Sequence, residues 1–576
     1  MKIKKIIIHN FRSIIDAEFS LNDYTMLVGK NNSGKTNIMA AIRIFYEDGG
    51  LKYSEKRDFP KLKVKDQDSW VEIHYATTND EQRNLKEDYQ TSDNILKVRK
   101  YLQSKDFVKA GQSNLYAYEK GGLSGSLFYG AKNISQAKLG KIIFIPAVSK
   151  TEDTFKLSGP SPFRDILNFV MKRAVIASPS FETLKNSFDN FNDDFREESS
   201  KDGFSINNLV DDINEDIKNW QVSFGITINS IKPDDIVKNL LSHYLEDNNL
   251  TEKQVEISHF GQGLQRHLIY TLIRLSSKYI PKEKSVKKEW LPDLVVLLFE
   301  EPEAFLHPSQ QEVLHLSLQT VSFDKNEQVL ISSHSPHFVS KKMDDISGVV
   351  RLHKNGGVSR AHQINKQDFS KMLSENISLY KVFCEILNDS AADSDLKKAI
   401  KKNHLGEHTP DETMKLEEES IRYFLWLNPD KSSLFFAEHV IICEGLSDKV
   451  LFDLILDERC FDLRSEKHIY VLESGGKFNI HRYVTLLDKL CISHSVIIDK
   501  DENRSYHEIV NNHIEQNRSQ VTKEIYFFED SLEKFLNISI PKRKDLKPIN
   551  IVKLYKNNSI GESRINELIK IIKKCI

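Results

Sequence analysis

The chain has 576 residues, 39% of them apolar and 10% aromatic, and its 28% of charged residues nearly cancel to a net charge of −2. That length exceeds one hydrophobic core and implies roughly two to four domains. The balanced charge excludes a protein whose whole surface binds nucleic acid. Such binding would fall to local basic patches at 278–288 (KYIPKEKSVKK), 541–547 (PKRKDLK) or 570–574 (KIIKK), each of which reads more readily as solvated surface than as a binding groove. Cys384, Cys443, Cys460, Cys491 and Cys575 are scattered without a CxxC pair, which fits reduced thiols rather than a disulfide frame or a zinc site. No stretch approaches a membrane span, and the opening lysines and isoleucines are too short for a signal-peptide core. The expectation is a cytoplasmic protein with no membrane partner.

Residues 3–8 (IKKIII) and 24–28 (YTMLV) read as strands. The second runs directly into Gly29-Lys30-Asn31-Asn32-Ser33-Gly34-Lys35-Thr36, a complete GxxxxGK[ST] loop, and 37–46 (NIMAAIRIFY) has helical spacing. In such a loop, backbone N–H groups around Asn32 and Ser33 cradle phosphates at a helix N-terminus, and Gly29 and Gly34 allow the tight path. Lys35 would reach the outer phosphates of ATP and Thr36 would ligate Mg²⁺. A short strand follows at 141–146 (KIIFIP). Residues 162–222 are rich in Asp, Glu, Asn and Lys, with Phe163, Ile166, Leu167, Val170 and Met171 at three-to-four spacing. They read as a helical insertion, either a hairpin on its own domain or a dimer-forming arm.

Further along, 258–266 (SHFGQGLQR) places Gly261 and Gly263 in a polar turn opening an apolar helix, a second anion-binding N-terminus. The continuous apolar stretch 290–299 (WLPDLVVLLF) reads as a central strand and ends in Glu300 and Glu301. Glu300 would hold the metal where Asp is usual, and Glu301 would orient or deprotonate the attacking water. Strand 327–333 (EQVLISS) leads to His334, within reach of a γ-phosphate. No convincing Q-loop glutamine is evident.

Residues 366–435 read as a polar helical connector with a loop at 403–411. From 437 a fresh rhythm begins, with strands at 439–443, 469–472, 495–498 and 524–528 and helices at 447–458, 479–490 and 505–517, which implies a second, smaller α/β domain. Glu444 follows the first of these strands and Asp448 opens the next helix. Asp499 and Asp501 flank Lys500, and residues two apart in an extended segment face one side. Ser474-Gly475-Gly476-Lys477 is a turn opening a helix. Four crowded acids repel unless cations neutralise them, and hard oxygen ligands suit Mg²⁺ or Mn²⁺. A pair of ions would stabilise the attacking and leaving oxygens of a phosphodiester displacement.

The order of phosphate loop, insertion, SHFGQGLQR, EEPEAFLHP and SSHSP resembles the RecF/SMC-like branch of ABC ATPases, as does the opening KIIIHNFR. That resemblance implies a dimer, because the Gly261/Gly263 signature would contact the γ-phosphate of the opposite subunit. The EG and DxD pair at strand ends resembles a Toprim domain. The two together, over nearly the whole chain, are similar to the OLD (overcoming lysogenization defect) family of endonucleases, which includes the nuclease subunit of Gabija antiviral systems and retron-associated effectors.

The implied fold is α/β: an ABC (RecF/SMC-like) ATPase head with a helical insertion, followed by a C-terminal Toprim domain. The expected divisions are 1–160 and 251–365 for the ATPase, 161–250 for the insertion, 366–435 for the connector and 436–576 for Toprim. The implied activity is ATP-regulated, Mg²⁺- or Mn²⁺-dependent cutting of DNA, with RNA as the alternative substrate. The implied partners are further copies of the chain, at least a dimer, and a defence-system protein such as a helicase or a reverse transcriptase with its DNA product. The metal set would be Glu444, Asp448, Asp499 and Asp501. Glu533 would be a later acid, with Asp530 and Glu529 as rivals, and Lys547 a site lysine, with Lys544 behind it. The competing class is an SMC-like DNA-binding ATPase whose Toprim fold binds without cutting.

Overall fold

The computed structural model describes residues 1–132, 137–147, 178–198, 200, 205–226, 244–247, 254–261, 264–265, 268, 271, 294–304, 306–322, 326–339, 343–406, 412–426, 429–501 and 505–576. The chain divides into two compact units, one of residues 1–144, 289–303 and 307–576, the other of residues 145–288 and 304–306.

In the larger unit, β1 (Lys2–Phe11) and β2 (Ile14–Ser20) form a hairpin, and β3 (Tyr24–Val28) leaves it for a different sheet. β4 (Ser69–Ala76), β5 (Ile95–Gln103), β6 (Leu115–Glu119) and β7 (Gly122–Leu123) return to the hairpin, giving an antiparallel sheet of order β2-β1-β4-β5-β6-β7. Alternate β1 residues Ile6, Ile8 and Asn10 are buried, the half-covered pattern of an antiparallel strand.

β8 (Lys141–Ile145) closes one edge of the nucleotide-loop sheet. In the smaller unit, β9 (Leu245–Glu246) and β10 (Gln254–Val255) pair antiparallel, and the helices Pro179–Glu197 and Ile206–Ile217 supply the helical character expected of 162–222. Phe163, Ile166, Leu167, Val170 and Met171, and the 278–288 patch, lie outside the described residues. β11 (Val295–Glu300), β12 (Glu327–Ser332), β13 (Val349–Asn355) and β14 (Val358–Gln363) complete the order β14-β13-β3-β12-β11-β8. β11, β12, β3 and β13 run parallel, and β3 is buried along its whole length, which is why its sequence is apolar but for Thr25.

The third sheet holds β15 (His439–Cys443), β16 (Ile469–Glu473), β17 (Ser493–Asp499) and β18 (Thr522–Phe528), all parallel in the order β16-β15-β17-β18. Helices Leu446–Arg459, Lys547–Lys556 and Glu562–Cys575 pack one apolar cluster against it, including Ile441, Phe452, Ile497 and Leu568. The connector packs firmly onto this sheet's helices. Arg482 of the helix Ile480–Lys489 is held by both oxygens of Glu419 (2.5 and 2.6 Å), and Tyr423 donates to the Arg482 carbonyl (3.1 Å). No helix among the described residues is long and apolar enough to cross a membrane.

Candidate functional site

The first site is built where β3 ends. Gly29 has φ +140°, and a Cβ there would stand 2.3 Å from the Leu352 carbonyl oxygen on neighbouring β13, so only glycine lets the loop pass. Gly34, at φ +112°, caps the helix Lys35–Tyr46. Lys35 folds back, its Nζ donating to the Gly29 (2.7 Å) and Lys30 (3.0 Å) carbonyls. Burial pulls its ammonium down to about 8, an effect the nearby Glu301, Glu303 and Glu300 oppose. Thr36 Oγ1 donates to Glu300 Oε1 (2.6 Å), so the loop's hydroxyl and the first strand-end carboxylate already face each other. Ser33 Oγ is buried without a hydrogen-bond partner, and Asn32 Oδ1 accepts from Lys354 (3.5 Å). A cavity of about 360 Å³ opens beside the loop, lined by Lys30, Asn32, Arg351, Lys354 and Glu438 among others.

Glu301 sits at φ +44°, a left-handed conformation unusual for a side chain other than glycine, and its N–H donates to the Ser332 carbonyl (2.8 Å). This fixes its carboxylate 3.5 Å from His334 Nε2. Burial, and secondarily Lys35, lowers the His334 imidazole to about 4, so the ring is neutral at pH 7. Glu303 was not singled out in the sequence. It accepts from the His334 N–H (2.5 Å) and from Ser333 Oγ (2.9 Å), and so ties the end of β11 to the loop after β12. Burial raises its carboxyl. The only sequence signal for it is a third acid in the EEPE run.

In the smaller unit, the glycine-bearing turn follows a short helical turn at Ile257–His259, and Gly261 is exposed. Gln265 staples that turn by donating to the Phe260 (2.6 Å) and Ile257 (3.1 Å) carbonyls. Gly263 lies outside the described residues.

The second site lies at the carboxyl ends of β15 and β17, adjacent central strands of a parallel sheet, the usual location of a ligand crevice in such folds. Glu444 follows β15. Its Oε2 is buried with no hydrogen-bond partner, and burial raises its carboxyl. Asp448 sits in the first turn of the helix Leu446–Arg459 and accepts from the Gly445 N–H (2.9 Å). Burial, then repulsion from Glu444 and Glu533, pushes it to about 7. Asp499 ends β17 and accepts from the Leu532 N–H (2.9 Å). Burial and repulsion from Asp448 and Glu444 push it to about 8.

Glu533 is buried and pairs with Lys547 (2.9 Å), whereas its rival Asp530 is engaged by Lys534 (2.8 Å). Burial works against the Lys547 charge, but Glu533, Asp499 and Asp448 hold its ammonium above the ordinary value. Asp501 differs from the other acids: His507 and Lys477 take its carboxylate at 3.3 and 3.0 Å and hold it well below the usual range. Lys477 and His507 were missed in the sequence, where one reads as a turn residue and the other as part of a helix. Among the described residues, no three His, Cys, Asp or Glu side chains are gathered closely enough to enclose an ion as they stand. The donor set nevertheless fits a hard divalent cation, because an orphaned buried carboxylate oxygen and two acids driven toward neutrality are what such an ion relieves.

A phosphate loop facing strand-end carboxylates, in one chain with a parallel sheet whose carboxyl edge carries the acids, defines an ATPase head joined to a TOPRIM-type domain. The chain belongs to the AAA ATPase domain family, whose model matches residues 1–156 and 171–339, and residues 435–501 match the overcoming lysogenization defect protein-like TOPRIM domain. These domains imply use of a nucleotide and a divalent metal. The chain is similar to a protein named Endonuclease GajA from Bacillus cereus (strain VD045), 24% identical over 527 residues, covering 87% of this chain and 75% of the relative. It is also similar to Old nuclease of Escherichia phage P2, 25% identical over 519 residues, covering 87% and 77%. Among solved structures, the SmcHead bound to the C-winged helix domain of ScpA matches with a TM-score of 0.36 at 15% identity, over 64% of this chain and 99% of that one.

Proposed function

We propose that the chain is an ATP-regulated, Mg²⁺- or Mn²⁺-dependent endonuclease of the OLD type that cuts DNA in the cytoplasm as part of antiphage defence. The two named nuclease relatives, each similar over most of the chain, support the activity. The observation that carries the site is the unpartnered, buried Glu444 Oε2 beside Asp448 and Asp499, two acids whose ionisation the protein alone resists. Glu444, Asp448, Asp499 and Asp501 would hold the divalent ion, with Glu533 a further acid beside them, and the ion when bound supplies charge for phosphodiester displacement. Lys547 would meet the scissile phosphate from the Glu533 side.

In the ATPase head, the loop from Gly29 to Gly34 and Lys35 would grip the phosphates of ATP, and Thr36 with Glu300 would hold the nucleotide's Mg²⁺. Glu301, locked by its backbone, would orient the attacking water, with neutral His334 beside it. Gly261 and Gly263 would complete the site in a homodimer. A helicase or a reverse transcriptase with its DNA product is the class of defence partner the reading admits.

The assay incubates the full chain with plasmid DNA and with structured RNA, in Mg²⁺ or Mn²⁺, with and without ATP. The reading expects DNA cutting that the double change Asp499→Ala plus Asp501→Ala abolishes. Degradation of RNA alone would replace the substrate. The second reading is a DNA-binding ATPase that does not cut. DNA-stimulated ATP hydrolysis with intact plasmid under both metals would establish it.

A further inference from the structure

The acids at the ends of β15 and β17 repel a polyanion, and a net charge of −2 over the chain supplies no general attraction to offset them. Cations that meet a nucleic-acid backbone here must stand beside the site. The fold brings the 541–547 run (PKRKDLK) to that place. Lys547 pairs with Glu533 (2.9 Å) and feels the charges of Asp499 and Asp448. Arg543 lies four residues before it, within about 14 Å even along a fully extended chain, a span of roughly four phosphates of one strand. Both flanks of the segment are pinned. Ile538 and Ile551 pack into the apolar cluster of the TOPRIM sheet. Ile538 N donates to the Glu533 carbonyl (3.0 Å), and Asn550 donates to the Ser539 carbonyl (2.9 Å). Leu546 N donates to the Arg543 carbonyl (3.2 Å), and the turn Lys544–Leu546 runs straight into the helix Lys547–Lys556. Pro541 and Pro548 restrict the backbone further.

Between these anchors the side chains are left in water. Lys542, Arg543 and Leu546 are exposed, as are Ile540 at 49% and Ile549 at 62%. Arg543 is engaged by Asp545 (3.1 and 2.6 Å), but both side chains are largely exposed, and such a surface pair contributes little. A phosphate oxygen pair can take the place of Asp545 on the same guanidinium fork. Aliphatic side chains interleaved with cations suit a partner that is itself charged and apolar by turns, as a nucleic-acid strand is with its phosphates, sugars and bases. An acidic protein surface would also match the charges. Continuity with the acids favours the strand, because a phosphodiester must come this way to reach them. We infer that residues 540–549 form the substrate-binding rim of the acidic site: Lys542 and Arg543 take phosphates of the DNA strand beyond the scissile bond, and Ile540, Leu546 and Ile549 pack against its sugars and bases.

This inference rests on the proposed nuclease reading, and the two fail differently. Binding of the full chain to labelled DNA duplexes of two unrelated sequences is followed by fluorescence anisotropy from about 50 to 200 mM salt, and KM is taken from plasmid cutting in Mn²⁺. Lys542→Ala plus Arg543→Ala is expected to weaken both duplexes alike by about five- to tenfold and to raise KM by a similar factor. The slope of log affinity against log salt should fall in magnitude by about one to two. Leu546→Ser plus Ile549→Ser is expected to weaken binding severalfold with the slope unchanged, since an apolar contact releases no counter-ions. All four positions are exposed, so the variants should fold, and ATP binding checks that they do. A double alanine variant that matches wild type in affinity, slope and KM would overturn the inference, hand the segment to an acidic protein partner and spare the nuclease reading. Wild type that binds DNA through these residues yet leaves plasmid intact would support the surface and remove the nuclease reading.

Discussion

Thr36 Oγ1 and Glu300 Oε1 share a 2.6 Å hydrogen bond that joins the phosphate-loop helix to the end of β11 across 264 residues of chain. Glu300, with one methylene more than the usual Asp, reaches the hydroxyl directly, so the longer side chain is absorbed without displacing the strand. Glu301, next in sequence, points instead at His334 because its backbone is in the left-handed region. Binding and hydrolysis thus fall to different neighbours. Glu301→Gln is expected to bind ATP within about threefold of wild type and to lose roughly 10²-fold or more in hydrolysis, the usual worth of a positioned base. Thr36→Ala is expected to lose the Mg²⁺ dependence of binding. Fluorescent-nucleotide titration and phosphate release separate the two.

Arg351 on β13 donates to the carbonyls of Cys491 (2.8 Å), Ala437 (3.2 Å) and Leu490 (3.3 Å), bolting the ATPase sheet to β15 and to the end of the helix Ile480–Lys489. Burial lowers even this guanidinium, to about 10. Arg351→Met keeps the volume but strands these acceptors, a loss of about 2–4 kcal/mol. Calorimetry is expected to show a lower melting temperature. The effect of ATP on cutting should also weaken, because Lys30 of the phosphate loop meets Glu438 (3.2 Å) at the same junction.

Asp499 and Asp448 are raised from 3.8 to about 8 and about 7. Between pH 4 and 8 the metal-free folded chain therefore holds protons that the unfolded chain has released, and its stability falls as pH rises through that window. Asp499→Asn removes that penalty. In EDTA at pH 8.5 the variant is expected to melt roughly 2–4 °C above wild type, with the gap closing near pH 4. A variant melting below wild type at both pH values would show that the acid is not held under strain.

The elements that carry both candidate sites could be read from sequence because each follows a local pattern: a buried strand, then a loop or acid, then a helix. The strands β3, β8, β15 and β17 lie where the apolar runs placed them. The antiparallel sheet over residues 2–123 could not be read, since its pairing joins segments far apart and its buried charges look like surface. Glu72, at 3% exposure, is satisfied by Arg99, His74 and Tyr118 on the assembled sheet, and Lys100 by Glu47 and the Phe45 carbonyl. Lys477 escaped notice for the same reason. A lysine in a Ser-Gly-Gly turn looks solvated until the fold brings Asp501 against it.

The most direct measurement is nicking of supercoiled plasmid in Mn²⁺ by wild type, Glu444→Gln and Asp499→Asn, with ATP binding monitored in parallel. The expected result is cutting by wild type and a drop of about 10²-fold or more in both variants, with ATP binding unchanged. Plasmid cut equally by all three proteins would contradict the assignment of the acids at the ends of β15 and β17 as the cutting site.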